Sequence, residues 1–309
     1  MAYARRRFGS YRARRQTKRR GTGYRRSSVK TRRYRRTKRI SRPMSKRRML
    51  NVSSRKKRNG MLSWSNTAST GASQTVASGP AYVNGTGTGF FLWNATANDL
   101  NTGSGAYNTV SQESQRTSTT CFMRGLSEHV RIQTSSGLPW FWRRICFTFR
   151  GTFPNASDSP TQAPRTLQDT TNGIVRLWFN MDVNNTPNLR NQVDGIIFKG
   201  AKGVDWNDFI VAPVDTRRVS LKYDRTMCIR SGNAAGTVKE TKLWHPMNKN
   251  LVYDDDESGD QEATSYLSVT SKAGMGDYYV LDLLQAGTGG GTSDQILLQA
   301  NSTLYWHEK

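Results

Sequence analysis

The sequence predicts an all-β sandwich carried behind a long basic arm, and three observations lead to it. Apolar and polar residues alternate with a period of two over several short runs. Turn-rich pieces such as Asn184-Asn185-Thr186-Pro187 and Gly287–Ser293 separate those runs. No convincing amphipathic helix longer than three turns is present, and nothing recurs at a fixed period, which disfavours a propeller. About eight strands joined by long loops point to a single eight-stranded antiparallel jelly-roll sandwich.

The arm comes first. Residues 1–58 hold 26 of the 47 Lys and Arg and no Asp or Glu, and the first acidic residue of the chain is Asp99. The remainder holds 21 basic residues (47 less 26) against all 22 acidic ones, so an almost neutral body carries a strongly basic tail. Such a tail repels itself and buries little apolar surface, so disorder is expected until a polyanion neutralises it. Its candidate nucleic-acid contacts are Arg5, Arg6, Arg7, Arg12, Arg14, Arg15, Lys18, Arg19, Arg20, Arg25, Arg26, Arg32, Arg33, Arg35, Arg36, Lys38 and Arg39. Arginine forks onto phosphate with two hydrogen bonds and stacks on bases. Tyr3, Phe8, Tyr11, Tyr24 and Tyr34 are interleaved with these cations, as exposed bases require. Binding is expected to be tight, weakly sequence-specific and steeply salt-dependent. The arm lacks the apolar face of an interfacial helix. Lys46, Arg47 and Arg48 with Arg55, Lys56, Lys57 and Arg58 also have the form of a nuclear-import signal, which implies host import receptors as partners.

Residues 59–118 are rich in Gly, Ser, Thr, Asn and Ala and read as an extended linker, with a possible first strand at Phe90-Phe91-Leu92-Trp93. Residues 119–309 read as the sandwich itself. Leu126, Glu128, Val130 and Ile132 alternate with Ser127, His129 and Arg131. Phe141, Arg143, Ile145, Phe147 and Phe149 share one face of a strand whose other face holds Trp140, Trp142, Arg144, Cys146 and Thr148. Val175, Leu177, Phe179 and Met181 form a third apolar face, and further strands are expected at 196–199, 219–223, 227–230, 278–284 and 296–306.

Other chemistry is poorly provided for. No hydrophobic run approaches the roughly 18–20 residues needed to span a bilayer, and Met1 leads into charge rather than an apolar signal segment, so neither membrane insertion nor secretion is expected. The Asn-X-Ser/Thr triplets at Asn84, Asn94, Asn155 and Asn301 are then chance matches. Cys121, Cys146 and Cys228 are odd in number, widely spaced and expected to be buried free thiols. His129, His245 and His307 form no metal-site or His-X-His spacing, no Gly-Lys dipeptide exists to end a phosphate loop, and His129 reads as structural. No cofactor and no enzymatic activity are expected. One near miss concerns a metal: Asp254, Asp256, Ser258 and Gly259 match the start of a calcium loop, continued by Asp260 and Glu262, but position twelve is Ser265. The bland reading is a solvated acidic loop; the sharper ones are a weak divalent-cation site or a docking spot for a basic arm.

With these residues set out, the chain resembles the coat proteins of genomoviruses, small circular single-stranded DNA viruses related to geminiviruses. The acid-free Arg/Tyr arm, Arg55-Lys56-Lys57-Arg58-Asn59-Gly60, Met123-Arg124-Gly125-Leu126-Ser127-Glu128 and Leu138-Pro139-Trp140-Phe141-Trp142-Arg143-Arg144 carry the resemblance. It implies a virion protein with a single jelly roll, assembled with itself in about sixty copies into the smallest (T=1) icosahedral shell. It implies packaging of single-stranded DNA by the arm, and entry of coat and genome into the host nucleus. The choice of DNA over RNA rests on the resemblance alone. The Cys/His grouping suggested for some geminivirus coats has no counterpart in this chain, so no metal role carries over. The rival reading is a cellular nucleic-acid-binding protein, ribosomal or chromatin-like, with a basic tail; such proteins usually spread positive charge over the body as well. A hydrolase or nuclease with a basic targeting tail is a weaker rival.

Overall fold

Where the sequence alternates, the backbone is extended, and where it is apolar on both faces the strand is covered on both. The computed structural model describes residues 44–153, 165–183 and 187–309. Eight principal strands carry the fold: β1 (Arg55–Met61), β2 (Thr88–Asn94), β3 (Thr120–Thr134), β4 (Trp140–Phe149), β5 (Ser220–Ile229), β6 (Val238–Val252), β7 (Asp277–Ala286) and β8 (Gln295–Glu308). They form two antiparallel sheets, ordered β1-β8-β3-β6 and β2-β7-β4-β5. The chain crosses between sheets so that β8 lies between β1 and β3 while β7 lies between β2 and β4. That nested connectivity is a jelly roll. Shorter strands add to the eight: Ala81–Asn84 pairs with the start of β8, and Ser63–Thr67 pairs with Ser73–Ser78 and, in parallel, with Arg176–Trp178.

The two sheets differ in what covers them. On β3 the inward set Leu126, Glu128, Val130 and Ile132 is buried, and His129 and Arg131 face solvent. On β4 both faces are buried over most of the length. Trp140, Trp142 and Arg144 point between the sheets, whereas Arg143 points outward and donates to the carbonyls of Phe209 (2.8 Å) and Ala212 (2.7 Å). The helix α2 (Pro187–Ile197) and residues 198–219 lie over that outer face. Pro187 suits the first helical turn, where its missing N–H leaves nothing unpaired. Val193 and Ile197 face inward, and Arg190 lies 3.7 Å over the Phe90 ring while pairing with Asp194 and Asp182. Nothing comparable lies over the outer face of the β1-β8-β3-β6 sheet among the described residues, and its outward side chains are exposed or half-buried.

The boundaries differ from the expected ones. Residues 46–309 form one unit, so the jelly roll does not begin at 119. The helix α1 (Lys46–Ser53) and β1 lie within the segment expected to be arm, and the expected linker supplies β2 and a buried polar stretch of Ser63, Ser65, Asn66 and Thr67. Those polar groups are buried because they are bonded: Ser63 Oγ donates to the Ala300 carbonyl (2.7 Å), and Asn66 exchanges bonds with the Asn180 backbone (3.1 and 2.7 Å). Residues 196–199, expected as a strand, are instead the last turn of α2 and the residues after it, because the turn-rich run before them ends in Pro187 and starts a helix. The expected pieces 219–223 and 227–230 are one strand, β5, with a bulge between Leu221 and Tyr223.

Candidate nucleic-acid interface

The contacts proposed from Arg5 to Arg39 lie outside the described residues. Lys46, Arg47 and Arg48 lie on α1, where Lys46 and Arg48 are exposed. The cluster Arg55–Arg58 is divided by strand alternation. Lys56 and Arg58 are exposed, whereas Lys57 turns inward and its ammonium meets the Glu308 carboxylate at 3.1 Å, the Gln115 carbonyl at 2.7 Å and Thr117 Oγ1 at 3.0 Å. Glu308 also accepts from the Thr117 hydroxyl (2.6 Å) and Trp306 Nε1 (2.8 Å). Burial alone would raise its carboxyl, but these donors and Lys57 hold it below the usual range. Lys57 is therefore a structural cation and not an accessible part of a phosphate or import-receptor surface.

Lys56 and Arg58 open onto the uncovered sheet face. Strand register places Lys56 opposite His307 and Arg58 opposite Tyr305, His307 opposite Phe122, and Tyr305 opposite Gly125. On the far side Trp244 lies opposite Ser127 and Lys242 opposite His129. The rings pair across strands, with 5.9 Å between the centroids of Trp244 and Tyr305 and 5.9 Å between Phe122 and His307. Gly125 makes the first pair possible. A Cβ there would sit 2.7 Å from the Trp244 ring and 2.7 Å from the His245 carbonyl, so only glycine lets the indole lie on the sheet. A bulge between Pro246 and Lys249 places Asn248 at φ 52°, a conformation Asn tolerates, where its side chain accepts from Arg124. Trp244 remains 49% exposed and Phe122 37%.

The charge on this face is one-sided. Lys56, Arg58, Arg124, Arg131 and Lys242 point outward, Arg131 donating to Gln299 at 2.7 Å. Two acidic residues border them: Glu240, held by His129 Nε2 at 3.3 Å, and the exposed Glu113, whose carbonyl accepts from the Arg58 N–H at 2.9 Å at the β1 edge. His307 is pushed below the ordinary imidazole range by partial burial, with Lys56 and Arg124 adding repulsion. Such a surface, positive with flat exposed rings, can hold an anion that also carries planar groups. Sequence reasoning missed it. Trp244 escaped because β6 carries Lys, Glu, Pro and Asn and does not read as a strand, and Tyr305 lay on an expected strand whose cross-strand partners the sequence does not name.

The remaining expected sites resolve differently. The acidic loop is an exposed hairpin, Asp256–Ser258 with Gln261–Ala263, turning at Gly259 (φ 70°). Asp254, Asp256, Asp260 and Glu262 are exposed, and no group of His, Cys, Asp or Glu able to hold a metal ion occurs among the described residues. The anchoring acid is Asp255, which grips Arg116 through both oxygens (2.5 and 2.9 Å) beneath Tyr253. Cys121 and Cys146 are buried free thiols as expected, but Cys228 is exposed because it lies on the edge strand β5. No helix among the described residues is long and apolar enough to cross a membrane.

Between the sheets lies a closed set of four charges. Arg144 Nε and Nη2 bind Asp282 at 2.7 and 3.0 Å, and its Nη1 binds Glu128 at 2.5 Å. Arg176 reaches Glu128 at 3.1 Å and Asp282 at 2.6 Å, sandwiched by Trp178 (3.7 Å) and Trp93 (4.4 Å). Ser302 and Trp142 supply the last donors. Burial would raise both carboxyls, but Arg144 and Arg176 outweigh it and hold them low. All four side chains are 0% exposed, so the set joins the sheets and offers no approach to a substrate. Compared with models of known protein families and with curated protein sequences, the chain matches none.

Proposed function

We propose that the chain is a viral coat protein that self-assembles into a small icosahedral shell and packages circular single-stranded DNA through its Arg-rich arm. One observation carries the reading: an acid-free basic segment, with 19 of its 26 cations in residues 1–45, leads into a two-sheet jelly roll whose unit 46–309 holds 28 basic residues against 22 acidic ones. Walls of low net charge pack side by side with little repulsion, while the arm neutralises what they enclose. The role is structural rather than catalytic. The exposed Lys46, Arg48, Arg55, Lys56 and Arg58 are the part of the basic segment suited to an import receptor, which fits a coat that enters the host nucleus.

Electron microscopy and size exclusion of the purified full chain test this directly. Closed particles of megadalton scale, holding DNase-sensitive, RNase-resistant single strands, are the expected result. A monomer or dimer that still binds nucleic acid would favour the cellular basic-tailed protein instead.

A further inference from the structure

We propose that the bare face of the β1-β8-β3-β6 sheet is a second nucleic-acid site, separate from the arm, that stacks unpaired bases and so selects single strands. This deepens the packaging reading and rests on it for the identity of the polyanion. Two cross-strand ring pairs, Trp244 with Tyr305 and Phe122 with His307, lie along β8 at positions 305 and 307. Two residues of strand separate them by about 7 Å. A duplex advances only about 3.4 Å per nucleotide along each strand and hides its base faces in the stack. A splayed strand can place a base on each ring pair, as four-stranded sheets with exposed central-strand aromatics do for single-stranded RNA. Phosphates then fall among Lys56, Arg58, Arg124 and Lys242, with Glu240 at the margin already held by His129. The basic helix α1 runs directly into β1 at this edge, and Lys56 Nζ donates to the Asn51 carbonyl at 2.9 Å.

Photo-crosslinking of the full chain to a bromodeoxyuridine-containing single-stranded oligonucleotide, mapped by mass spectrometry, tests the site. Adducts are expected on Trp244 and Tyr305 as well as on the arm. A duplex of equal length should give arm adducts alone. Trp244→Leu with Tyr305→Leu should cut the remaining face adducts at least about five-fold, the lower end of one base's stacking contribution, and leave arm adducts unchanged. Should that pair unfold the protein, Arg124→Gln with Lys242→Gln gives the same reading through a lower ratio of face to arm adducts. Adducts confined to residues 1–58, equal face adducts with duplex, or a face shielded from hydroxyl-radical footprinting by a second copy in nucleic-acid-free protein would each overturn the proposal. Particles with arm adducts alone sink this site and leave the coat reading standing; face adducts without particles do the reverse.

Discussion

Replacing Glu128 with Gln isolates the charge in the interior set, because the side chain keeps its size and creates no cavity. Glu128 accepts from Arg144 at 2.5 Å, Arg176 at 3.1 Å and Ser302 at 2.9 Å, all out of reach of water. With the carboxylate gone, two guanidiniums face Asp282 alone, and the new amide nitrogen can only point another donor at an arginine. Removing one partner of a buried ion pair costs about 3–5 kcal/mol, against total stabilities of about 5–15 kcal/mol. For a unit of this size that is a fall in melting temperature of about 6–20 °C. Tryptophan fluorescence against temperature, under conditions that keep the chain unassembled, measures it. The loss is complete at pH 7. Because the folded carboxyl is held below its unfolded value of about 4.3, its contribution is full above that pH and fades as the pH falls through the folded value. A loss under about 1 kcal/mol would show that the set is not desolvated and paired as described.

Four further outcomes follow from the same structure. Burial drives the His245 imidazole down to about 4, with Arg144 adding repulsion, so the unfolded chain takes up the proton first and stability should fall between pH 6.5 and 4. The fall is on the order of 3 kcal/mol, and His245→Gln should flatten it; an unchanged pH slope in urea titrations refutes the assignment. Deleting residues 1–45 should leave the melting temperature within a few degrees, whereas deleting 1–58 removes the first four residues of β1, Lys57 among them, and strands the Glu308 carboxylate, lowering it by about 6 °C or more. Equal melting of the two truncations would contradict the placement of β1. Iodoacetamide should label one thiol in the native protein, Cys228, and three after denaturation; Cys146 is buried with its thiol pushed up to about 12. Mass spectrometry counts the adducts, and labelling of a second thiol under native conditions is the contrary result. Raising salt to about 1 M should release bound nucleic acid while leaving the melting temperature nearly unchanged, since buried pairs are screened far less than phosphate contacts. Parallel loss of nucleic acid and of stability would mean that the ion pairs are open to solvent.

The framework was legible where burial follows alternation. Leu126–Ile132, Trp140–Phe149, Tyr278–Leu284 and Ile296–Trp306 all lie on strands of the jelly roll, and Phe90–Trp93 lies on β2. The double burial of β4 was written in its two apolar faces. What escaped was polar structure stabilised by distant partners. Ser63–Thr67 has a linker's composition, and it is ordered by Ala300 and Asn180, more than a hundred residues away. β6 is mostly exposed, so it lacks the apolar set that marks a strand and is held by its ladder to β3. The inward charges of Glu128 and Arg144 were visible as breaks in apolar faces, but nothing in their spacing names Asp282 or Arg176 as partners. Lys57 looked like one more cation of the arm. Its neighbours in sequence say nothing of Glu308, which approaches only when β8 pairs with β1.

Those interior pairs also bear on why the folded unit 46–309, with 28 basic residues against 22 acidic ones, gathers its positive charge on one face. Seven carboxylates, of Glu128, Asp182, Asp194, Asp224, Asp255, Asp282 and Glu308, are taken up by ion pairs with Lys57, Arg116, Arg143, Arg144, Arg176 and Arg190. Each of those pairs has at least one partner almost wholly out of solvent, so these acids do little to offset cations outside. A further group of acids is gathered on the exposed hairpin at Asp254, Asp256, Glu257, Asp260 and Glu262. The sheet face that continues from β1 is left with five cations against Glu240 and, at the β1 edge, Glu113. A modest net charge is thus compatible with a strongly directional surface. A polyanion is repelled at the hairpin and held at the sheet, and since exposed attraction is screened over about 8–10 Å, the local pattern outweighs the sum. Along β1 the exposed Lys56 and Arg58 flank Lys57, which is sealed inside against Glu308.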